Sequence, residues 1–379
     1  MTGQSAFKCS PADIRRHVVS CMFAGLVPFV KSSPGMGKSS IIKSIAQEYR
    51  LKVIDVRLSQ ATPEDLQGLP RFRQKIDKNG NIDPNETIAE FVPFDTFPTT
   101  NSEIPEGYDG WLLFFDEFNS GSKAVQAAMY KIILDRMVGQ KTLHSNVAIV
   151  CAGNLETDRA IVNPMSTAMQ SRLVHLTLTI QTSDFLKNIA YPNFWDERII
   201  AFLSYKETAL HDFEADHSDA TFCCPRTWEF MNRLIKGKEV RNEDAALYAG
   251  TITSGVATEF ITFTKVYNSL PHISNILKDP ENCPVPTDPA VRFATVVHLI
   301  GKVSIEDANL EPIATYVNRM TGELRVVFFR GLVARHPTLQ RDPIYRRALL
   351  ELSKYLNDDD DKDLTHADAS GNTRFQTAA

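Results

Sequence analysis

The chain has 379 residues, room for two or three domains, and its 43% hydrophobic and 23% charged content is that of a globular protein able to bury large cores. A net charge of −5 argues against bulk attraction to nucleic acid; six Asp against Lys362 and Arg374 in residues 358–379 carry most of that excess, so the body is near neutral and a local basic groove stays open. Six cysteines without a C-x-x-C pair make no disulfide framework, no run of 18 apolar residues predicts a membrane span, and the first ten residues lack the apolar stretch of a secretion signal, so the reading is a reducing, cytoplasmic compartment with no membrane partner.

Ser10 followed by Pro11 predicts a helix start, with Ile14, Val18, Val19, Met22 and Phe23 at helical spacing and Gly25 as its end. Leu26 to Val30 reads as a buried strand, and Ser32-Ser33-Pro34-Gly35-Met36-Gly37-Lys38-Ser39-Ser40 follows it, ahead of a helical pattern from Ile41. A glycine loop between strand and helix wraps backbone N–H groups around phosphate, and the helix N-terminus adds favourable partial charge. The pattern G-x-x-x-x-G-K-[ST] is complete except that Ser32 stands where its first glycine belongs. Residues Ser33, Pro34, Gly35, Met36, Gly37, Lys38, Ser39 and Ser40 are the expected nucleotide contacts, with Lys38 reaching the β- and γ-phosphates and the Ser39 hydroxyl on Mg²⁺. The plainer alternative is a glycine-rich turn with a surface lysine.

Leu51 to Leu58 predicts the next strand. Residues 70–110 are polar, with the turn signal Asn79-Gly80-Asn81, and read as an insert with its own hairpin or as a functional loop; Phe91, Phe94 and Phe97 within it are expected to pack locally. Trp111 to Phe115 is a strand buried on both faces, and Asp116-Glu117 stand where it exits. Ligands of open α/β sheets bind outside the carboxyl ends of the strands, so the glycine loop and this acid pair are expected to meet. Asp116 is the expected Mg²⁺ ligand and Glu117 the residue that polarises the attacking water; alone, the pair could equally be a solvated acidic turn.

Ser122 to Met137 predicts a helix, and Val147 to Ala152 a buried strand ending in Gly153-Asn154, where Asn154 either holds water or the γ-phosphate or simply sits in a tight turn. Cys151 in that strand is a buried thiol, and Cys223-Cys224 reads as packing. Arg172 lies at a helix-to-strand junction before the strand Leu173 to Leu178; on one chain it is a solvated arginine, and in a ring it reaches the neighbour's γ-phosphate in trans.

Taken together, these residues resemble the AAA+ ATPases, and within them the MoxR-like branch. The likeness spans roughly 10–235 and rests on Pro34–Ser39, the strand ending in Asp116-Glu117, Asn154, Ser171-Arg172 and Pro225-Arg226, together with Arg57-Leu58-Ser59-Gln60…Asp65-Leu66-Gln67-Gly68-Leu69-Pro70 and Asp116-Glu117-Phe118-Asn119. The resemblance implies an α/β fold: a P-loop AAA+ αβα parallel-sheet core over 1–180 and an α-helical lid over 181–275; short amphipathic helical patterns beyond it predict a C-terminal helical module over 276–357. The resemblance makes Glu117, the sensor Asn154, the arginine finger Arg172 and the lid's sensor-2 Arg226 catalytic, makes 70–110 the branch's insert, and makes 135–146 a shortened hairpin. It also implies ATP and Mg²⁺ as cofactors, a hexameric ring, and a partner with a von Willebrand factor A domain. Departures are Ser32 for glycine and Leu173 where many relatives carry an aromatic residue.

Beyond 181 the pattern is helical, with Ile199, Ile200, Phe202 and Leu203 on one face, a helix beginning at Pro225-Arg226, and another stretch from Asp244 to Phe263. The proline-rich 277–289 reads as a linker, Asp288-Pro289 and Asp342-Pro343 as helix starts, Ser304 to Asp307 as a weak cap, and 358–379 as a disordered acidic tail. A nucleic-acid motor, a metal-chelatase ATPase subunit and a nucleotide-gated scaffold stand as alternatives; the near-neutral body disfavours the first.

Overall fold

In a computed structural model, residues 7–76, 82–158, 162–304 and 309–352 are described. They form two compact units. The first holds the chain to Gln181 with 213–218 and 224–226, and the second holds the remainder.

The first unit opens with α1 (Pro11–Phe23). Ser10 caps it: its hydroxyl accepts from the Asp13 N–H at 3.2 Å, and the Asp13 carboxylate accepts from the Ser10 N–H at 3.3 Å. Gly25, at φ +69°, closes the helix, and the Leu26 N–H still bonds the Cys21 carbonyl at 2.9 Å. The first strand therefore begins one residue later than the sequence predicts and runs further, as β1 (Val27–Ser32). There follow α2 (Lys38–Glu48), β2 (Leu51–Arg57), α3 (Pro63–Gln67), β3 (Leu69–Ile76), β4 (Ile82–Val92), β5 (Gly110–Asp116), α4 (Lys123–Asp135), β6 (Met137–Val138), β7 (Lys141–Thr142), β8 (Val147–Asn154), α5 (Thr167–Gln170) and β9 (Leu173–Thr177).

Five strands pair in parallel in the order β2-β5-β8-β1-β9. Side chains alternate across the sheet, and both faces are buried. Leu113, Phe115, Ile149 and Cys151 pack with Phe118, Met129 and Ile132 on one face; Leu112, Phe114, Val150 and Ala152 pack with Ile14, Val18, Ile42 and Ile45 on the other. That is why β5 reads as an unbroken apolar run. Burial pushes the Cys151 thiol well above its ordinary range, in keeping with an inert buried thiol. Register brings the carboxyl ends into line, with Ser32 opposite Asn154 and Arg57 opposite Asp116.

The 70–110 stretch contributes an antiparallel hairpin, β3 with β4, whose predicted turn at 79–81 lies outside the described residues. Of Phe91, Phe94 and Phe97, the last is buried in the core, whereas Phe91 and Phe94 are exposed. A second short hairpin, β6 with β7, stands where the shortened one was expected.

The second unit is helical: α6 (Thr182–Phe185), a π-helical turn Leu186–Ala190, α7 (Glu197–Tyr205), most of α8 (Pro225–Ile235), α9 (Ala245–Ile252), α10 (Ser254–Lys265), α11 (Ile273–Lys278), α12 (Pro289–Lys302), α13 (Leu310–Asn318) and α14 (Gly322–Arg335), with residues 343–352 also helical. Phe202 lies at its centre, with its ring 5.4 Å from Phe260 and Phe263 and 5.7 Å from Trp228. The stretch from Asp244 to Phe263 is two helices, because Thr253 at φ +76° breaks it. The proline-rich segment is strapped down: Arg319 Nη1 donates to the Pro280 and Cys283 carbonyls at 2.9 and 2.7 Å, and the Tyr316 hydroxyl donates to the Pro284 carbonyl at 2.8 Å. Most of the weak cap at 304–307, and the acidic tail, lie outside the described residues. No described helix is long and apolar enough to cross a membrane.

Candidate functional site

The loop between β1 and α2 turns on two left-handed glycines, Gly35 at φ +76° and Gly37 at φ +80°. Space as well as φ restricts Gly35, since a Cβ there would lie 2.3 Å from Cys224 Sγ. Gly37 is the N-cap of α2 and supplies no side-chain cap bond, so the helix's first N–H groups are left for a ligand. Met36 is buried beneath the loop.

Lys38 is buried, and its ammonium donates to the Ser32 carbonyl at 3.1 Å, the Ser32 hydroxyl at 3.0 Å and Asn154 Oδ1 at 3.2 Å. Burial pushes Lys38 down to about 8; Asp116 opposes that fall, and the positive charge of Arg226 adds to it. The serine in the first glycine's place is therefore a ligand of the lysine. The Ser39 hydroxyl donates to Asp116 Oδ2 at 3.0 Å. A hydroxyl and a carboxylate side by side are hard oxygen donors of the kind that suits Mg²⁺. Among the described residues no group of three or more His, Cys, Asp and Glu is placed to hold a metal ion.

Glu117 follows at φ +53°, a conformation uncommon for a residue with a side chain, and its N–H donates to Asp116 Oδ1 at 2.8 Å. The Ser59 hydroxyl, just past the end of β2, hydrogen-bonds Glu117 Oε2. Asn119, only 3% exposed, clamps the end of β8: its Nδ2 donates to the Asn154 carbonyl at 2.8 Å and its Oδ1 accepts the Asn154 N–H at 3.1 Å. The clamp explains Gly153, where a Cβ would lie 2.2 Å from Asn119 Oδ1.

Lys38, Ser39, Asp116, Glu117 and Asn154 thus meet at the carboxyl end of the sheet. The Arg226 N–H donates to the Gly35 carbonyl at 3.3 Å, which places the start of α8 on the loop. Arg172 is not brought to this group in a single chain. It hydrogen-bonds the Ala168 carbonyl and lies 5.7 Å over the Tyr130 ring, and its buried Nε has no partner among the described residues. Sequence reasoning missed Ser32, Ser59 and Asn119 as site residues. Ser59 and Asn119 each lie within three residues of a strand's carboxyl end, the one signal that could have found them.

Residues 30–173 match the family model described as "ATPase family associated with various cellular activities (AAA)". The parallel five-stranded sheet with flanking helices, its glycine loop after β1 and its helical C-terminal region make this the AAA P-loop fold. Among solved structures, the chain is similar to a mutant of Thermotoga maritima RuvB (15% identity, TM-score 0.35, covering 71% of this chain and 74% of that one). It is also similar to a structure described as the Thermotoga maritima RuvB Holliday junction branch migration motor (15%, 0.34, 72% and 76%) and to a Cytophaga hutchinsonii chain (12%, 0.30, 90% and 88%). No curated protein matches the sequence.

Proposed function

We propose that the protein is a Mg²⁺-dependent ATPase of the MoxR type that works as a hexameric ring and remodels a partner protein carrying a von Willebrand factor A domain. The observation that carries the ATPase reading is the hydrogen bond between Ser39 and Asp116, two residues 77 positions apart brought together beside a buried lysine.

The loop N–H groups and the start of α2 bind the phosphates. Lys38 exchanges its bonds to Ser32 and Asn154 for a phosphate oxygen. Ser39 and Asp116 would hold Mg²⁺, which supplies positive charge to the phosphate oxygens. Glu117 orients the attacking water and takes its proton, with Ser59 holding the carboxylate until substrate arrives. Asn154, fixed through its backbone by Asn119, turns its amide to the γ-phosphate. This arrangement leaves one side of that phosphate without a cation, and Arg172 of a neighbouring subunit completes it, so that ATP strengthens the interface and hydrolysis loosens it. Arg226 couples the loop to α8.

Support for the MoxR branch is the pair of stretches 57–70 and 116–119. The test is co-purification from the native host with Glu117→Gln as a trap, alongside phosphate release by the pure chain. A von Willebrand factor A protein in the trap, and its stimulation of the wild type, is the expected result. Recovery of other proteins with no such stimulation removes that partner. DNA-stimulated turnover that falls steeply with salt replaces remodelling with a nucleic-acid motor.

A further inference from the structure

The turn that carries Glu117 is short and confined. Phe118–Ser120 form a single 3₁₀ turn, and the Ser120 N–H donates to the Glu117 carbonyl at 2.9 Å. It ends at Gly121, where a Cβ would lie 3.2 Å from Leu58 on one side and 3.2 Å from Val125 of α4 on the other. Packed this closely, the turn has little room to shift without its neighbours.

One residue from a distant segment holds this turn through both its backbone and its side chain. The Asn163 N–H donates to the Asn119 carbonyl at 2.7 Å, and Asn163 Nδ2 donates to the Gly121 carbonyl at 2.9 Å and to the Ser120 carbonyl at 3.4 Å. Gln126, 6% exposed on α4, braces the junction: its Nε2 donates to the Gly121 carbonyl at 3.2 Å and to the Asn163 carbonyl at 3.4 Å. A buried amide that bonds both sides of a junction fixes one side against the other. Asn119, in the same turn, clamps Asn154.

Asn163 also stands at the head of the segment that carries Arg172, which continues through Ser166 and α5. That segment lies on α4. Met169 is buried in the core beside Met129 and Ile132, the Ser166 hydroxyl hydrogen-bonds the Tyr130 hydroxyl, and Arg172 lies over the Tyr130 ring. Glu117 and Arg172 are thus two ends of one hydrogen-bonded body, although in a ring they act on different phosphates.

We propose, resting on the ring ATPase reading above, that Asn163 is a positioning residue which, braced by Gln126, aims a subunit's glutamate and its finger together. It touches neither ATP. Its side chain sets the turn from which Glu117 meets water and the base from which Arg172 reaches the neighbour. A displacement of about 1 Å at a reacting group costs on the order of a hundredfold in rate, so a small loosening of this junction is felt at both ends.

Mixed rings read the two ends apart. Arg172→Ala subunits supply only Glu117, and Glu117→Gln subunits supply only Arg172, so turnover regained on mixing comes from sites the two share. Asn163→Ala is placed first in one partner and then in the other, and phosphate release is followed against ATP concentration. The regained kcat should fall at least about fivefold in each case, with KM for ATP within about twofold, because binding is left to the glycine loop. Asn163→Asp keeps the size of the side chain but turns a carboxylate toward the Ser120 and Gly121 carbonyls, and it should be worse than alanine. Gln126→Met, which keeps the volume and loses both bonds, should lower kcat in both partners, and it carries the comparison if Asn163→Ala does not fold. A kcat that falls in only one partner, or in neither, overturns the proposal, as does an aspartate variant as active as the parent. If the partners regain no turnover with Asn163 intact while the wild type hydrolyses ATP, the shared site itself fails and the proposal falls with it.

Discussion

The ammonium of Lys38 donates a hydrogen bond to the hydroxyl of Ser32 at 3.0 Å. Ser32 occupies the place of the usual first loop glycine, and its side chain is wholly buried, so the departure from the pattern has a chemical consequence. The hydroxyl stabilises Lys38 in the nucleotide-free arrangement and must be given up when the lysine turns to phosphate.

Removing that hydroxyl should therefore favour binding. Ser32→Ala is expected to tighten ATP by about fivefold, roughly 1 kcal/mol, since the remaining acceptors recover part of a charged hydrogen bond. Titration with a fluorescent ATP analogue reads this directly. Weaker binding would mean that Ser32 shapes the loop rather than restraining the lysine.

Nucleotide affinity should depend on pH through Lys38. Its folded-state value of about 8 lies below the ordinary lysine value of 10.5. Below 8 the group is charged in both folded and unfolded chains; between about 8 and 10.5 the unfolded chain binds the extra proton. Stability therefore rises with pH across that window, because the cost of a buried charge is relieved. Binding runs the other way: ATP needs the charged lysine, so the dissociation constant should be flat from pH 6.5 to 7.5 and rise by up to about tenfold per pH unit above 8. Lys38→Arg, which stays charged, should bind more weakly overall and lose this slope.

Asn119 should matter to both stability and turnover. Asn119→Ala leaves the Asn154 N–H and carbonyl without their partners, at a cost of about 2 kcal/mol. Urea unfolding measures that loss, and phosphate release should fall further than ATP binding, because Asn154 is no longer held. Gly153→Ala, which forces the same clamp open, should behave alike.

Arg172 tests the ring. Arg172→Ala should bind ATP within about threefold of wild type yet hydrolyse it at least about a thousandfold more slowly. Mixed with Glu117→Gln subunits, which are themselves inactive, it should regain turnover, because the intact Arg172 of one subunit serves the intact Glu117 of the next. Absence of rescue would assign Arg172 to its contacts with Tyr130 and the Ala168 carbonyl and not to a neighbour's phosphate.

Much of the core was legible because its signals are local. Ser10 and Asp13 cap a helix within one turn of chain, Gly35 and Gly37 announce a loop by their own backbone freedom, and the unbroken apolar run at Trp111–Phe115 follows from burial on both faces of a parallel sheet. Asp116, placed at that strand's end, met Ser39 because parallel strands in one register present their carboxyl ends together.

Other features were decided only when distant segments met. Ser32 looked like a defect until the fold set its hydroxyl against Lys38, and Asn119 gained its role from an amide 35 residues on. Leu26 fell outside its strand because the helix end before it retained its N–H, and Phe94 stayed exposed where Phe97 found the core. The proline-rich 280–284 lost its freedom to Arg319 and Tyr316. Periodicity and capping act within a few residues of chain, and the sequence by itself determined those; which polar groups are paired depends on residues tens of positions apart, and only the tertiary structure decided that.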